Sequence, residues 1–180
     1  MRALVVYESM FGNTEVIALA IADGLRSQMD VETVDVASAP TWIPRDLDLL
    51  VVGGPTHAFG MSRPQTREAA AKEAGHTVTS QAVGLREWLA GLEQVAADNA
   101  PAAVAAATFD TRVERPRMPG SAAHKLRRGL RRLGIEVVEP ATTFWVKGTP
   151  GPLVDGEETR ARRWGEDLAS IVTGIPGLLV

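Results

Sequence analysis

A chain of 180 residues, 45% of them hydrophobic and none of them cysteine, is long enough for one sizeable core and excludes disulfides, thiolate catalysis and cysteine-ligated metal or iron–sulfur centres. The net charge of −3 selects no partner class by itself, but eight Lys or Arg residues and a single acid fall between Thr111 and Gly134, which leaves the rest of the chain distinctly acidic. No apolar stretch approaches the roughly 20 residues that span a bilayer, and the apolar run before Glu8 is too short for a signal segment, so one cytoplasmic domain over residues 1–180 is expected.

Ala3 to Tyr7 is a continuous apolar run suited to a strand buried on both faces, and Val16, Ile17, Ala20, Ile21 and Leu25 then recur with helical spacing. Between strand and helix sit Ser9, Met10, Phe11, Gly12, Asn13 and Thr14, which include hydroxyls and a glycine but no lysine or arginine. Such a loop suits a phosphate held by backbone N–H groups, hydroxyls and the positive end of a helix dipole. It carries neither the glycine pair with Lys-Ser/Thr of a P-loop nor the three spaced glycines of a dinucleotide fingerprint. Val31 to Val36 alternates acids with valines, as a half-buried edge strand does. Pro40 and Pro44 bracket a connection whose Trp42 is expected to pack over the sheet.

Leu47 to Val52 is a third strand, stopped by Gly53-Gly54-Pro55, and a second loop, Thr56 to Met61, follows at its carboxyl end. Ser62 with Gln65, and Pro64 in the first turn, signal a helix start, with Gly75 as its stop. A linker over 75–84 leads to an amphipathic helix marked by Leu85, Trp88, Leu89, Leu92 and Val95. A fourth strand is expected over Ala102 to Thr108, followed by a third loop at Phe109, Asp110, Thr111 and Arg112. Ala122, Leu126, Leu130 and Leu133 face one side of the next helix, which ends at Gly134 with arginines where the dipole favours them. The fifth strand is split, Ile135 to Val138 and Thr142 to Val146. Asp155 with Glu158 reads as a capping box for a last helix whose buried side carries Ala161, Trp164, Leu168 and Ile171.

Strands alternating with helices imply parallel pairing through right-handed crossovers, hence an α/β three-layer sandwich with a doubly wound five-stranded sheet in the order 2-1-3-4-5. Ligands of such sheets bind where the strand order reverses, which assigns the site to the loops after strands one, three and four.

The segment YESMFGNTE (Tyr7 to Glu15) resembles the phosphate-binding loop of the flavodoxin family, and GGPTHAFGM (Gly53 to Met61) resembles the Pro-Thr loop of flavodoxin-like quinone reductases and of the flavodoxin domains of diiron flavoproteins. The resemblance implies a flavodoxin-like fold with FMN as cofactor, its phosphate on residues Ser9 to Thr14 and its ring against Pro55, Thr56, His57, Ala58, Phe59 and Gly60. Phe59 either stacks on the flavin ring or fills the core beneath the loop. His57 is a ring hydrogen-bond partner or proton relay, or else an ordinary exposed histidine. Phe109 is expected to make a second ring contact, followed by Asp110, Thr111 and Arg112. Here the chain departs from flavodoxins with a tyrosine and an acidic cluster in this loop, and Arg112 would stabilise the negative charge that acids destabilise on a reduced flavin.

The resemblance implies an electron carrier between redox partner proteins. The alternative is an FMN-dependent NAD(P)H:quinone-type oxidoreductase acting on a small quinone-like acceptor, and a flavin-free binding module with the same fold ranks third. A receiver domain is excluded because Glu8-Ser9 and Gly53-Gly54 stand where its acids would be. His57, His76 and His124 lack metal-ligand spacing, no catalytic constellation appears, and one basic helix without interleaved aromatics is a poor nucleic-acid surface, so neither nucleic acid nor membrane is expected as a partner. The residues from Lys125 to Arg132 read as a solvated helix face.

Overall fold

The computed structural model describes residues 1–57, 59–74, 83–96, 104–116 and 119–174. In chain order the elements are β1 (Arg2–Tyr7), α1 (Asn13–Leu25), β2 (Asp30–Asp35), β3 (Leu49–Pro55), α2 (Pro64–Ala74), α3 (Leu85–Ala96), β4 (Ala105–Val113), α4 (Ala122–Arg132), β5 (Glu136–Val137), β6 (Thr142–Val146) and α5 (Glu157–Thr173). The strands form one parallel sheet in the order β2-β1-β3-β4-β5, and β6 also pairs with β4, so that β5 and β6 are the two halves of the split fifth strand. This is the doubly wound α/β arrangement that the alternation of elements predicts, in the expected order 2-1-3-4-5.

Each strand sends alternate side chains to opposite layers. Ala3, Val5, Leu49, Val51, Ala107 and Phe109 pack with α1 and α5, whereas Leu4, Val6, Leu50, Val52 and Ala106 pack with α3 and α4. Because both faces are covered, β1 and β3 are nearly continuous apolar runs, while β2, paired on one side only, stays half-buried. The helices α1 and α5 cross almost backbone to backbone: a Cβ on Gly24 would lie 2.1 Å from the Arg162 carbonyl oxygen, and one on Gly165 would lie 2.3 Å from that of Ile21.

Several local expectations are corrected. Trp42 does not cover the sheet; it is 59% exposed, and the indole of Trp88 takes the inner position, donating to the Pro40 carbonyl at 2.8 Å. Ser62 does not cap α2, because its hydroxyl accepts from the buried Arg67 guanidinium at 2.9 Å; the Thr66 hydroxyl instead accepts from the Arg63 N–H at 2.8 Å. The capping box of the last helix is absent. Gly156, at φ 87, starts α5 with no side-chain cap, and Asp155 turns outward to Lys147 at 2.8 Å. Gly75, His76 and most of the linker lie outside the described residues.

The largest difference concerns the fourth strand. Phe109 to Arg112 are not loop but β4 itself, which runs on to Val113 because Thr142 to Val146 offers it a parallel partner throughout. Pairing fixes alternation, so Phe109 and Thr111 face the α1 side while Asp110 faces α4.

Candidate functional site

A cleft of about 380 Å³ opens at the carboxyl ends of β1, β3, β4 and β6, where the strand order reverses. Its floor is the start of α1. Beyond Tyr7 the chain keeps pairing for one residue, with the Glu8 N–H donating to the Gly53 carbonyl at 3.0 Å, and then turns. Ser9 is fully buried and organises the turn from within: its hydroxyl oxygen accepts the Gly12 N–H at 3.1 Å and, more loosely, the Glu15 N–H at 3.4 Å. Gly12 is the N-cap residue at φ 85, a left-handed conformation that a side chain resists, and open space surrounds the position of its missing Cβ. Gly12 offers no side-chain cap and, within the helix, Ser9 takes only the Glu15 N–H, which leaves the N–H groups of Asn13 and Thr14 for an external acceptor at the positive end of the dipole.

Two hydroxyls complete this corner. Thr14 and Thr111 lie 2.8 Å apart, oxygen to oxygen, both buried and both lining the cleft. Asn13 also lines it, but its amide donates to the Pro150 carbonyl, tying the first loop to the connection after β6. Met10 and Phe11 form the neighbouring apolar wall, where Met10 packs on Ala70 of α2.

The second loop is a tight turn. The His57 N–H donates to the Gly60 carbonyl at 2.8 Å and the Gly60 N–H returns to the His57 carbonyl at 2.9 Å, which forces Phe59 to φ 74. Phe59 is 51% exposed and does not line the cleft, so the reading that places it in the core beneath the loop is excluded. A bulky residue held at positive φ is uncommon and costs on the order of 1–3 kcal/mol, a strain that clusters at ligand-binding loops. Pro55, Thr56 and His57 line the cleft, Gly60 is overlaid by Lys125, and Ala58 lies outside the described residues.

Two further expectations fail for one reason, the strand pairing of β4. Phe109 makes no contact with the cleft; it is fully buried, its ring lies across Gly53, and it meets Phe144 and Trp164 edge-on at 6.1 and 6.4 Å. Asp110 is likewise fully buried and faces protein donors only. Its Oδ2 accepts from the Thr56 hydroxyl at 2.7 Å, the Ser121 hydroxyl at 2.7 Å and the Ala123 N–H at 3.2 Å, while Oδ1 accepts from the Thr143 hydroxyl at 2.7 Å. Asp110 is thus a positioning residue that fixes the second loop, the start of α4 and β6 around one carboxylate. Arg112 does line the cleft, with its guanidinium 5.6 Å from the centroid of the Trp145 ring, a cation–π contact.

Two walls were not read from the sequence. Thr66, Ala69 and Ala70 of α2 close one side, and Gly148, Thr149 and Pro150 close the end beyond β6. The second could have been found by the rule that found the others, since GTPGP follows a strand's carboxyl end.

Beneath the cleft is a buried polar cluster. Glu8 accepts the Leu85 N–H at 2.8 Å, and the fully buried Arg67 reaches Ser62 and, at 3.1 Å, Glu87. Burial pushes the Glu8 carboxyl above its ordinary range, against the opposing pull of Ser62, the Leu85 N–H and Arg67. Tyr7 donates to Glu15 at 3.1 Å, and its phenol is pushed up to about 12 by burial first and by the Glu15 carboxylate second.

The fold and this cleft define a doubly wound α/β protein with a ligand site at the reversal of strand order. The flavodoxin family profile matches residues 5–164, and the chain belongs to that family, whose proteins bind FMN. An archaeal flavodoxin structure is 21% identical with a TM-score of 0.64, covering 96% of this chain and 99% of its own. Oxidised flavodoxin 1 from Bacillus cereus is 18% identical at a TM-score of 0.66, covering 97% and 99%. The flavodiiron protein from Giardia intestinalis is 19% identical at a TM-score of 0.61, with 96% of this chain matching 36% of that one. A comparison with curated protein sequences found no match. The residues present fit the family's cofactor: an uncapped helix start and a hydroxyl pair suit a terminal phosphate, and Met10, Phe11 and Pro55 supply apolar walls.

Proposed function

We propose that this chain binds FMN in the cleft between its first three site loops and carries electrons between redox partner proteins. The observation that carries the reading is the start of α1, where Gly12 at positive φ, no side-chain cap and the Thr14–Thr111 hydroxyl pair converge on one corner of the cleft. That corner holds a phosphate without a lysine, by N–H donors and dipole. FMN supplies the electron chemistry when bound. The chain's own residues orient it: the first loop takes the phosphate, the exposed Phe59 two residues beyond His57 offers an aromatic face, and Arg112 brings positive charge to the third side. A cofactor with one terminal phosphate matches one such corner, which favours FMN over FAD.

The test is calorimetric and spectral titration of the purified chain with FMN, FAD and riboflavin. Stoichiometric uptake of FMN with a perturbed flavin spectrum is expected, with riboflavin weaker. A chain that stays colourless with excess FMN refutes the reading. Sustained turnover of NADPH with a soluble quinone and no protein partner would assign the chain to the quinone-reductase class instead.

A further inference from the structure

We propose that the outer face of α4 is a docking surface for the acidic face of a redox partner protein, which it seats beside the rim of the cleft. His124, Arg127, Arg128, Arg131 and Arg132 follow one another at helical spacing and line a cleft of about 400 Å³ that no other described residue lines. The opposite side of the helix, through Ala122, Leu126 and Leu130, is buried in the core. Four arginines therefore stand on one stripe with the exposed Lys125 beside it, five cations in all, and Arg127 with Arg131 and Arg128 with Arg132 repel at i, i+4. Among the described residues none of the five forms an ion pair, and the Nε of Arg127 is buried without an acceptor. The helix dipole accounts for Arg131 and Arg132 in the last turn but not for Arg127 and Arg128.

In a chain of net charge −3 this concentration is local, and it is the kind of field that orients a negatively charged protein. The stripe is continuous with the site. The N-cap of α4, Ser121, shares Asp110 with Thr56, and Lys125 lies over Gly60 in the turn that exposes Phe59. A partner seated on α4 would therefore lie beside Thr56, which lines the cleft.

The proposal rests on the electron-carrier reading, but docking is measured without it. The probe is a fluorescently labelled, acidic [2Fe–2S] ferredoxin, titrated with the full chain and followed by anisotropy at low and at physiological salt. Binding at low salt that weakens at least about tenfold at physiological salt is expected. The triple variant Arg128→Glu, Arg131→Glu, Arg132→Glu should weaken it by at least about tenfold, gain affinity for the basic protein cytochrome c, and keep the FMN affinity of the parent, which reports that it folds. Equal ferredoxin affinity of parent and variant overturns the proposal. So does tighter α4-dependent binding of duplex DNA or anionic vesicles than of ferredoxin, or self-association that the variant abolishes. Failure to bind FMN would refute the carrier reading alone, since the anisotropy result stands or falls separately.

Discussion

Replacing Asp110 by Asn isolates the charge of the carboxylate from its shape. The amide oxygen can occupy the Oδ2 position and keep the bonds from Thr56, Ser121 and the Ala123 N–H, while its NH2 turns to Thr143, whose hydroxyl reverses to accept. The half-buried Thr143 hydroxyl can turn its proton to solvent, but the second amide N–H has no acceptor at this fully buried position, so the loss is the charge assistance together with the cost of that one donor. Bonds to charged groups contribute about 1.5–3 kcal/mol and neutral ones about 0.5–1.5, which for three retained bonds in one network amounts to about 2–3 kcal/mol. Asp110→Ala strands three hydroxyls and an N–H in a fully buried site and should cost about 3–5 kcal/mol. Urea denaturation followed by tryptophan fluorescence reads both, as a lower midpoint at unchanged slope. FMN affinity should fall in the same order, because Thr56 and the start of α4 lose a common anchor. An Asn variant as stable as the parent, or an Ala variant no worse than Asn, would refute the account of Asp110 as a charged tie between loops.

Thr14→Val removes one hydroxyl from the phosphate corner, worth about 1.5–3 kcal/mol toward an anion, so FMN should bind roughly 10- to 150-fold more weakly and riboflavin much less so. Equal losses for the two ligands in calorimetry would mean that Thr14 only supports Thr111. Tyr7 is the sole tyrosine, so an ultraviolet titration of the phenol should show one transition, raised from 10 to about 12. A raised phenol contributes stability below pH 10 that disappears as pH climbs through about 12, and a transition at the ordinary value would show that burial and Glu15 do not act. Glu8 is also raised, so its contribution is complete below its ordinary value of 4.5 and is lost as pH rises through the folded value. Glu8→Gln should therefore gain stability relative to the parent at neutral pH and little in acid, measured as paired urea midpoints; a gain confined to acid would reverse the assignment.

The order of the sheet and the location of the cleft were legible because they follow from periodicity and from the alternation of strands with helices, as in Ala3 to Tyr7 and Leu47 to Val52. The corner of the cleft at the start of α1 was legible because Gly12 and Thr14 lie within one short loop. Phe109 and Asp110 were misread for the opposite reason. Their orientation depends on the register of β4 against Thr142 to Val146, more than thirty positions away, and nothing local distinguishes a strand that continues from a loop that begins. The same holds for Trp42, whose exposure beside the buried Trp88 only tertiary packing decides. The wall formed by α2 is equally non-local, since Ala69 and Ala70 carry no chemistry of their own.

The crossing of α1 and α5 at Gly24 and Gly165 makes the last helix a partner of a site it never touches. With a backbone carbonyl of each helix within 2.1–2.3 Å of where the other's Cβ would be, α1 cannot slide along its axis unless α5 moves with it. The phosphate corner is the first turn of that same α1. Opening of the C-terminal helix therefore removes packing that holds α1 in place, and a ligand held at the start of α1 opposes that opening. A ligand at a hundred times its dissociation constant adds about 2.7 kcal/mol, so saturating FMN should slow amide exchange within Arg162 to Leu168 by roughly a hundredfold. The retardation would appear about three turns along α1 from that corner, in residues that do not line the cleft.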